Sequence, residues 1–263
     1  MNLGLEGRVA VVGGSSQGLG RAVAEALAAE GAHVVINSRS ADKLAPVRDE
    51  LVEATGARVE AIACDLTASG GAEKLISDAV AALGKVDILV TNTGGPPAGM
   101  FEDHSAEVWS DAMAQNFDSV VNLTRAALPG MKERRWGRIV NVTSISVKQP
   151  VEGLILSNSI RAGVTGFAKT ISNEYARYNI TVNNVLPGYT RTERLIHLAE
   201  AVSKRDGTSI DEVYEGWTNE IPFGRLAEPP EFGAVAAFLC SEQASYVTGQ
   251  SIAVDGGWIK GLL

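Results

Sequence analysis

Apolar residues along this chain follow two alternating rhythms. Short, nearly unbroken runs at Val9 to Val12, His33 to Asn37, Arg58 to Ala63, Val86 to Thr91, Ile139 to Thr143, Ile180 to Leu186 and Ser251 to Val254 read as strands. Between them the apolar positions recur every three or four residues. In the first such stretch Ala22, Val23, Ala26 and Leu27 share one face, Arg21, Glu25 and Glu30 lie off it, and Gly31 stops the helix. Further helices are predicted over 72–83, 106–134, 157–178 and 229–239. Strands alternating with helices predict an α/β fold. Its form is a Rossmann-type doubly wound parallel sheet of about seven strands with helices on both faces. Runs such as VDILV and GRIVNV are apolar on both sides, as strands buried on both faces require. The whole chain, 1–263, reads as one dinucleotide-binding domain. One segment breaks the rhythm: 191–222 is charged and irregular and predicts a surface excursion of one or two short helices.

Composition narrows the picture. The chain has 263 residues and is 45% hydrophobic, enough for one sizeable core. Its formal net charge of -8, with no basic stripe, argues against a nucleic-acid partner. The two cysteines, Cys64 and Cys240, sit in apolar runs and read as buried free thiols. No CxxC or Cys/His cluster suggests a metal site, and His104 and His197 read as solvated loop histidines. No signal peptide and no stretch long enough to span a membrane are evident, so a cytoplasmic protein without a membrane partner is expected.

The candidate chemistry begins at VAVVGGSSQGLGRAVAEAL, a strand, a glycine turn and a helix. Gly14, Gly18 and Gly20 are spaced so that backbone amides and a helix N-terminus can approach a pyrophosphate. With the strand before it, the amphipathic helix after it and the repeated strand–helix pattern, this turn predicts a dinucleotide site, with Ser16 and Leu19 inside the same turn. At the end of the second strand stands Asn37-Ser38-Arg39-Ser40, with no acidic residue to hold the adenosine ribose. Arg39 can instead grip a 2′-phosphate in a forked geometry, which favours NADP(H) over NAD(H), with Ser38 beside it.

Together these residues resemble the short-chain dehydrogenase/reductase family, specifically its 3-oxoacyl-acyl-carrier-protein-reductase-like branch, over nearly the whole chain. GGSSQGLG at 13–20 is similar to the family's TGxxxGxG, with Gly13 in place of threonine. CDL at 64–66 resembles the segment that contacts the adenine ring, which implies Asp65 and Leu66 there. TNTGG at 91–95 resembles the family's NNAG, placing Asn92 and Gly94 on the adenosine side. NITVNNVLPGYTRT resembles the family's NxVxPGxxxT, implying that Pro187, Gly188 and Thr192 flank the nicotinamide. Asn116 matches the asparagine that supports an active-site water, and Ser144, closing GRIVNVTS, matches the catalytic serine. The resemblance implies a small carbonyl or alcohol substrate and a homotetramer or homodimer built on the two long helices and the last strand. It also implies a substrate lid at about 191–222, where Leu195, Ile196, Leu198 and Trp217 close over an apolar substrate, pack their own helices or form part of a subunit contact.

One departure stands out. The family's catalytic tyrosine lies thirteen residues after the serine, and its lysine four further on. Those places hold Ser157 and Arg161. An aliphatic hydroxyl is a far weaker acid than a phenol, and arginine does not deprotonate to relay a proton. Three outcomes stand open at this point: turnover with a donor drawn from Lys148, Glu152, Tyr189 or a water near Asn116; a binding protein without redox chemistry; or different chemistry on the same scaffold.

Overall fold

The computed structural model describes residues 2–262. Its strands are β1 (Val9–Val12), β2 (His33–Ser38), β3 (Val59–Ala63), β4 (Ile88–Thr91), β5 (Gly137–Val142), β6 (Ile180–Pro187) and β7 (Ser251–Val254). They form one parallel sheet in the order β3-β2-β1-β4-β5-β6-β7. Every strand read from the sequence is present. Arg58, and Val86 with Asp87, fall just outside their strands, and β5 starts two residues earlier than expected.

The helices are α1 (Gly18–Ala29), α2 (Ala41–Thr55), α3 (Gly71–Leu83), α4 (Ala106–Met113), α5 (Ser119–Arg134), α6 (Ile155–Tyr175), α7 (Glu193–Asp206), α8 (Ile210–Glu220) and α9 (Pro229–Leu239). Strand side chains alternate between two cores, as the pleat requires. Ala10, Val12, Val34, Ile36, Ile88 and Val90 join Leu27 of α1, Leu44 and Leu51 of α2, and Phe232 of α9 on one face. Val11, Val35 and Leu89 join Leu75 of α3, Leu123 and Met131 of α5, and Ala168 of α6 on the other.

Three differences from the sequence reading have physical causes. Helix α2 was not expected. It carries Pro46, which removes one helical donor, and its buried residues Leu44, Val47 and Leu51 make only a thin apolar stripe. The continuous helix expected over 106–134 is split by a π turn at Ala114–Asp118, which holds the buried Asn116. Cys240 is buried as expected, but Cys64 is only half-buried, because β3 has ended and the chain there opens toward a cleft. The 191–222 excursion is α7 and α8. Their Leu195, Ala199, Val213 and Trp217 bury against Ile145, Leu186 and Trp258 in a third, smaller core.

The strand order reverses between β1 and β4. In open parallel sheets the crevice at the carboxyl ends of such strands is where ligands bind. Here the turn from β1 into α1 lies at that crevice and is packed to backbone contact. A Cβ on Gly20 would sit 2.3 Å from the Gly14 carbonyl oxygen and 2.6 Å from Asn92 Nδ2. Gly20→Ala is therefore expected to destabilise the fold by about 1–3 kcal/mol, read as a lower midpoint in thermal unfolding. Gly216→Ala, in α8 with open space around it, should instead stabilise by roughly 0.5–1 kcal/mol. Equal shifts in the two variants would contradict the close packing of the turn.

Candidate active site

A cleft of about 770 Å³ runs along the carboxyl ends of the strands. Of the residues singled out in the sequence, Gly14, Ser16, Gly18, Leu19, Ser38, Arg39, Asp65, Leu66, Asn92, Gly94, Ser144, Ser157, Arg161, Pro187, Gly188 and Thr192 all line it. Gly20 and Asn116 stand one layer behind.

The glycine turn builds one wall. Gly14 and Gly18 adopt left-handed backbone, φ 55° and 58°, which a side chain would strain. The N-terminus of α1 has no side-chain cap and no acidic residue in its first turn, so its amides remain open to an anion. Asn92 holds the turn from below: its Nδ2 donates to the Gly13 carbonyl at 3.2 Å and to the Gly14 carbonyl at 3.1 Å. Ser15, not singled out in the sequence, fastens the turn to the end of β2. Its Oγ donates to the Val12 carbonyl at 2.7 Å and accepts the Asn37 amide at 2.9 Å. The Asn37 side chain is occupied elsewhere, donating to the Ile62 carbonyl at 3.0 Å.

Beyond β2 the wall is cationic. Arg39 is exposed and lines the cleft, and Lys43, from the unexpected helix α2, joins it. Asp65 faces them but is tied locally: Oδ1 accepts the Thr67 amide at 2.9 Å and the Thr67 hydroxyl at 2.7 Å. These bonds, with a smaller contribution from Arg39, hold its carboxyl below the usual range.

The floor at the other end comes from β5 and α6. Ser144 begins a short 3-10 turn, and its Oγ accepts the Ser146 amide at 3.1 Å, which leaves its own hydrogen free to point into the cleft. Ser157 is 7% exposed and lies 3.3 Å from the Ser146 hydroxyl, so Ser146 rather than Ser144 is its partner. One helical turn on, Arg161 is 8% exposed. Its Nη1 donates to the Val142 carbonyl at 2.7 Å and its Nη2 to Asn116 Oδ1 at 3.0 Å. Burial, and secondarily repulsion from Arg194, push its pKa from 12.5 down to about 10. The guanidinium therefore stays positive throughout the neutral range.

The opposite wall comes from the segment after β6. Thr192 caps α7, its Oγ1 accepting the Leu195 amide at 3.3 Å, and its methyl group lies over Gly18. Gln17 donates to Glu193 across the cleft mouth. Arg194 reaches over Gly95 and donates to the Pro96 carbonyl at 2.7 Å. Leu195 and Leu198 face the cleft, whereas Ile196 points to solvent and Trp217 stacks on Tyr189 with centroids 4.8 Å apart. Tyr189 also lines the cleft. Burial, then Glu220, push its pKa up to about 12. Lys148 and Glu152, the other side chains considered as donors, are exposed and lie outside the cleft. His104 is not solvated at Nε2, which is buried against Gly99 without a partner, and His197 lies on α7 beside Glu200 at 3.2 Å. Among the described residues no cluster of metal-ligating side chains occurs, and no helix is long and apolar enough to cross a membrane.

Comparison with known proteins places this architecture. The family model described as enoyl-(acyl carrier protein) reductase matches residues 14–259. The chain is 33% identical to a 3-oxoacyl-[acyl-carrier-protein] reductase of Aquifex aeolicus over 257 residues, 98% of this chain and 99% of that protein. It is 35% identical to a D-beta-hydroxybutyrate dehydrogenase of Cupriavidus necator, over 97% of this chain and 99% of that one. Among solved structures, L-sorbose reductase from Gluconobacter frateurii, complexed with NADPH and L-sorbose, superposes with a TM-score of 0.94 at 34% identity, covering all of both chains. The sheet order, the glycine turn and these likenesses agree: the chain belongs to the short-chain dehydrogenase/reductase family of oxidoreductases, in its 3-oxoacyl-acyl-carrier-protein-reductase-like branch.

Proposed function

We propose that this chain is an NADP(H)-dependent oxidoreductase acting on a carbonyl/alcohol pair, with an active site that departs from its family's. The carrying observation is one continuous cleft with an open helix N-terminus at one end, Arg39 and Lys43 at its side and Ser144, Ser157 and Arg161 on its floor. Support for the cofactor comes also from the NADPH-bound reductase that the chain resembles.

The residues fit the dinucleotide. The uncapped first turn of α1 and the glycines at 14 and 18 would hold the pyrophosphate. Arg39, with Lys43 beside it, would hold the 2′-phosphate. Asp65 and Leu66 would border the adenine, Asn92 and Gly94 the adenosine side, and Pro187, Gly188 and Thr192 the nicotinamide. When bound, the nicotinamide supplies or accepts the hydride.

The chain's own groups act on the substrate oxygen. Ser144 donates its free hydrogen to the carbonyl oxygen, and Ser157 stands ready to add a second hydrogen bond. These polarise the carbonyl and favour charge developing on oxygen. Arg161 fixes a positive charge one helical turn behind Ser157. It holds this charge through the neutral range, so it stabilises the developing alkoxide without passing a proton. Tyr189 is the one phenol on the cleft wall among the described residues; burial makes it a weaker acid than a free phenol, but an alkoxide is a far stronger base and can still take its proton. Tyr189 would give its proton to the substrate oxygen as the carbonyl carbon is reduced, and solvent would reprotonate the phenol. The segment 191–222 carries Leu195 and Leu198 over this end of the cleft and serves as the lid. On the family's pattern, α5, α6 and β7 are the proposed faces of a homodimer or homotetramer. A second reading, a binding protein without turnover, draws on one observation: neither Ser157 nor Arg161 is a proton donor matched to neutral pH.

Two outcomes are expected. Arg39→Ala weakens NADPH binding about tenfold or more, the loss of a charged hydrogen-bond donor, and leaves NADH binding unchanged in fluorescence titration. Equal loss for both cofactors would remove Arg39 from phosphate recognition. Against a panel of ketones, 3-oxoacyl thioesters and alcohols, loss of NADPH absorbance proceeds in the natural protein and falls on the order of a hundredfold in Tyr189→Phe. Activity appearing only in the Ser157→Tyr, Arg161→Lys double variant would establish the binding-protein reading instead.

A further inference from the structure

Of the three arginines that line this cleft among the described residues, Arg39 stands beside β2, and Arg161 and Arg194 stand toward the Ser144 and Ser157 end. Arg161 is 8% exposed and donates only to neutral oxygens, those of Val142 and Asn116. Arg194 is rooted at the exposed rim, but its head reaches inward: Nη2 donates to the Pro96 carbonyl at 2.7 Å, and Nε lies 2.8 Å from where a Cβ on Gly95 would stand. Neither takes part in an ion pair among the described residues, whereas Arg191, three residues before Arg194, pairs with Glu228. The two are close enough for mutual repulsion.

The carboxylates on the cleft wall do not answer this charge. Asp65 is held by Thr67, Glu193 accepts from Gln17, and Asp111 pairs with neither arginine. A guanidinium offers five donors, and Arg161 spends two of them here and Arg194 one. A buried cation such as Arg161 is costly without an ionic partner, and its donors here meet only neutral oxygens. The open donors therefore suit an anion that arrives with the ligand. The dinucleotide's own phosphates have other receivers, at the α1 N-terminus and at Arg39 with Lys43. Arg161 lies instead at the Ser144 and Ser157 end, where the reacting carbonyl would be.

We propose that the substrate is an oxo acid or hydroxy acid, its carboxylate gripped by Arg194 in forked geometry with Arg161 adjacent, and its carbonyl carbon over Ser144 and Ser157. This deepens the oxidoreductase reading and rests on it. The planar fork of a guanidinium fixes a carboxylate in orientation as well as place, which aligns the carbonyl beside it.

The test is titration calorimetry on the protein saturated with NADP⁺. The probes are levulinate, phenylpyruvate and benzoate, each against its neutral amide. At least one acid is expected to bind about tenfold or more tightly than its amide. Arg194→Ala abolishes that preference and changes NADP⁺ affinity less than about twofold, and Arg194→Gln, which keeps the side chain's bulk, does the same. Acids and amides binding alike would overturn the proposal. So would an Arg194→Ala variant that keeps the acid preference or loses NADP⁺ affinity instead, which would assign the guanidinium to the cofactor's phosphates. Failure of NADP⁺ to bind is a different result: it overturns the dinucleotide reading itself, and the substrate pose with it.

Discussion

A buried guanidinium without a counter-charge organises the reactive end of this molecule. Arg161 joins α6 to the end of β5 through the Val142 carbonyl and to the π turn between α4 and α5 through Asn116. Moving such a group out of water costs several kcal/mol, offset in part by two charge-assisted hydrogen bonds. The residue is thus held at a place where its charge faces a cleft. A lysine there would offer a point charge and a titratable proton. Arginine offers a permanent charge and a directional fork. The consequence reaches to Ser157 one turn earlier, to the wall bearing Arg194, and to the proposal of Tyr189 as proton donor.

The rest of the fold delivers groups to that place. Apolar strands buried on both faces fix the sheet, and the reversal of strand order between β1 and β4 opens the crevice. The glycine turn fills the crevice floor so tightly that its carbonyls meet the Asn92 amide, which leaves the amides of α1 facing outward. Binding and polarisation are therefore separable in this chain. The dinucleotide end is made of backbone and small residues, and the reacting end of a few charged and hydroxylic side chains.

Much of this is legible in the sequence because it is local. Unbroken apolar runs give the strands, three-and-four spacing gives most helices, and Gly14, Gly18 and Gly20 mark a turn that only small residues allow. The absence of an acid near Arg39 is also visible directly. What is hidden depends on tertiary contact. Helix α2 has Pro46 and too thin an apolar stripe to announce itself, so Lys43 was missed with it. The π turn has no signature in a periodicity that runs straight through it; its Asn116 is positioned by Arg161, 45 residues away. Ser15, the Ser146 to Ser157 contact and the approach of Arg194 to Pro96 each join residues from different elements. Family likeness, too, aligns Ser157 and Arg161 with a catalytic pair but says nothing about the cation that faces them.

The most direct measurement is a crystal structure of the protein with NADP⁺ bound. The pyrophosphate should lie on the amides at Gly18 to Gly20 and the 2′-phosphate within hydrogen-bond reach of Arg39, with nicotinamide C4 opening onto a pocket bounded by Ser144, Ser157 and Tyr189 and the Arg194 fork left free. A nicotinamide ring turned away from Ser144, or a 2′-phosphate that makes no contact with Arg39, would overturn this placement of the cofactor.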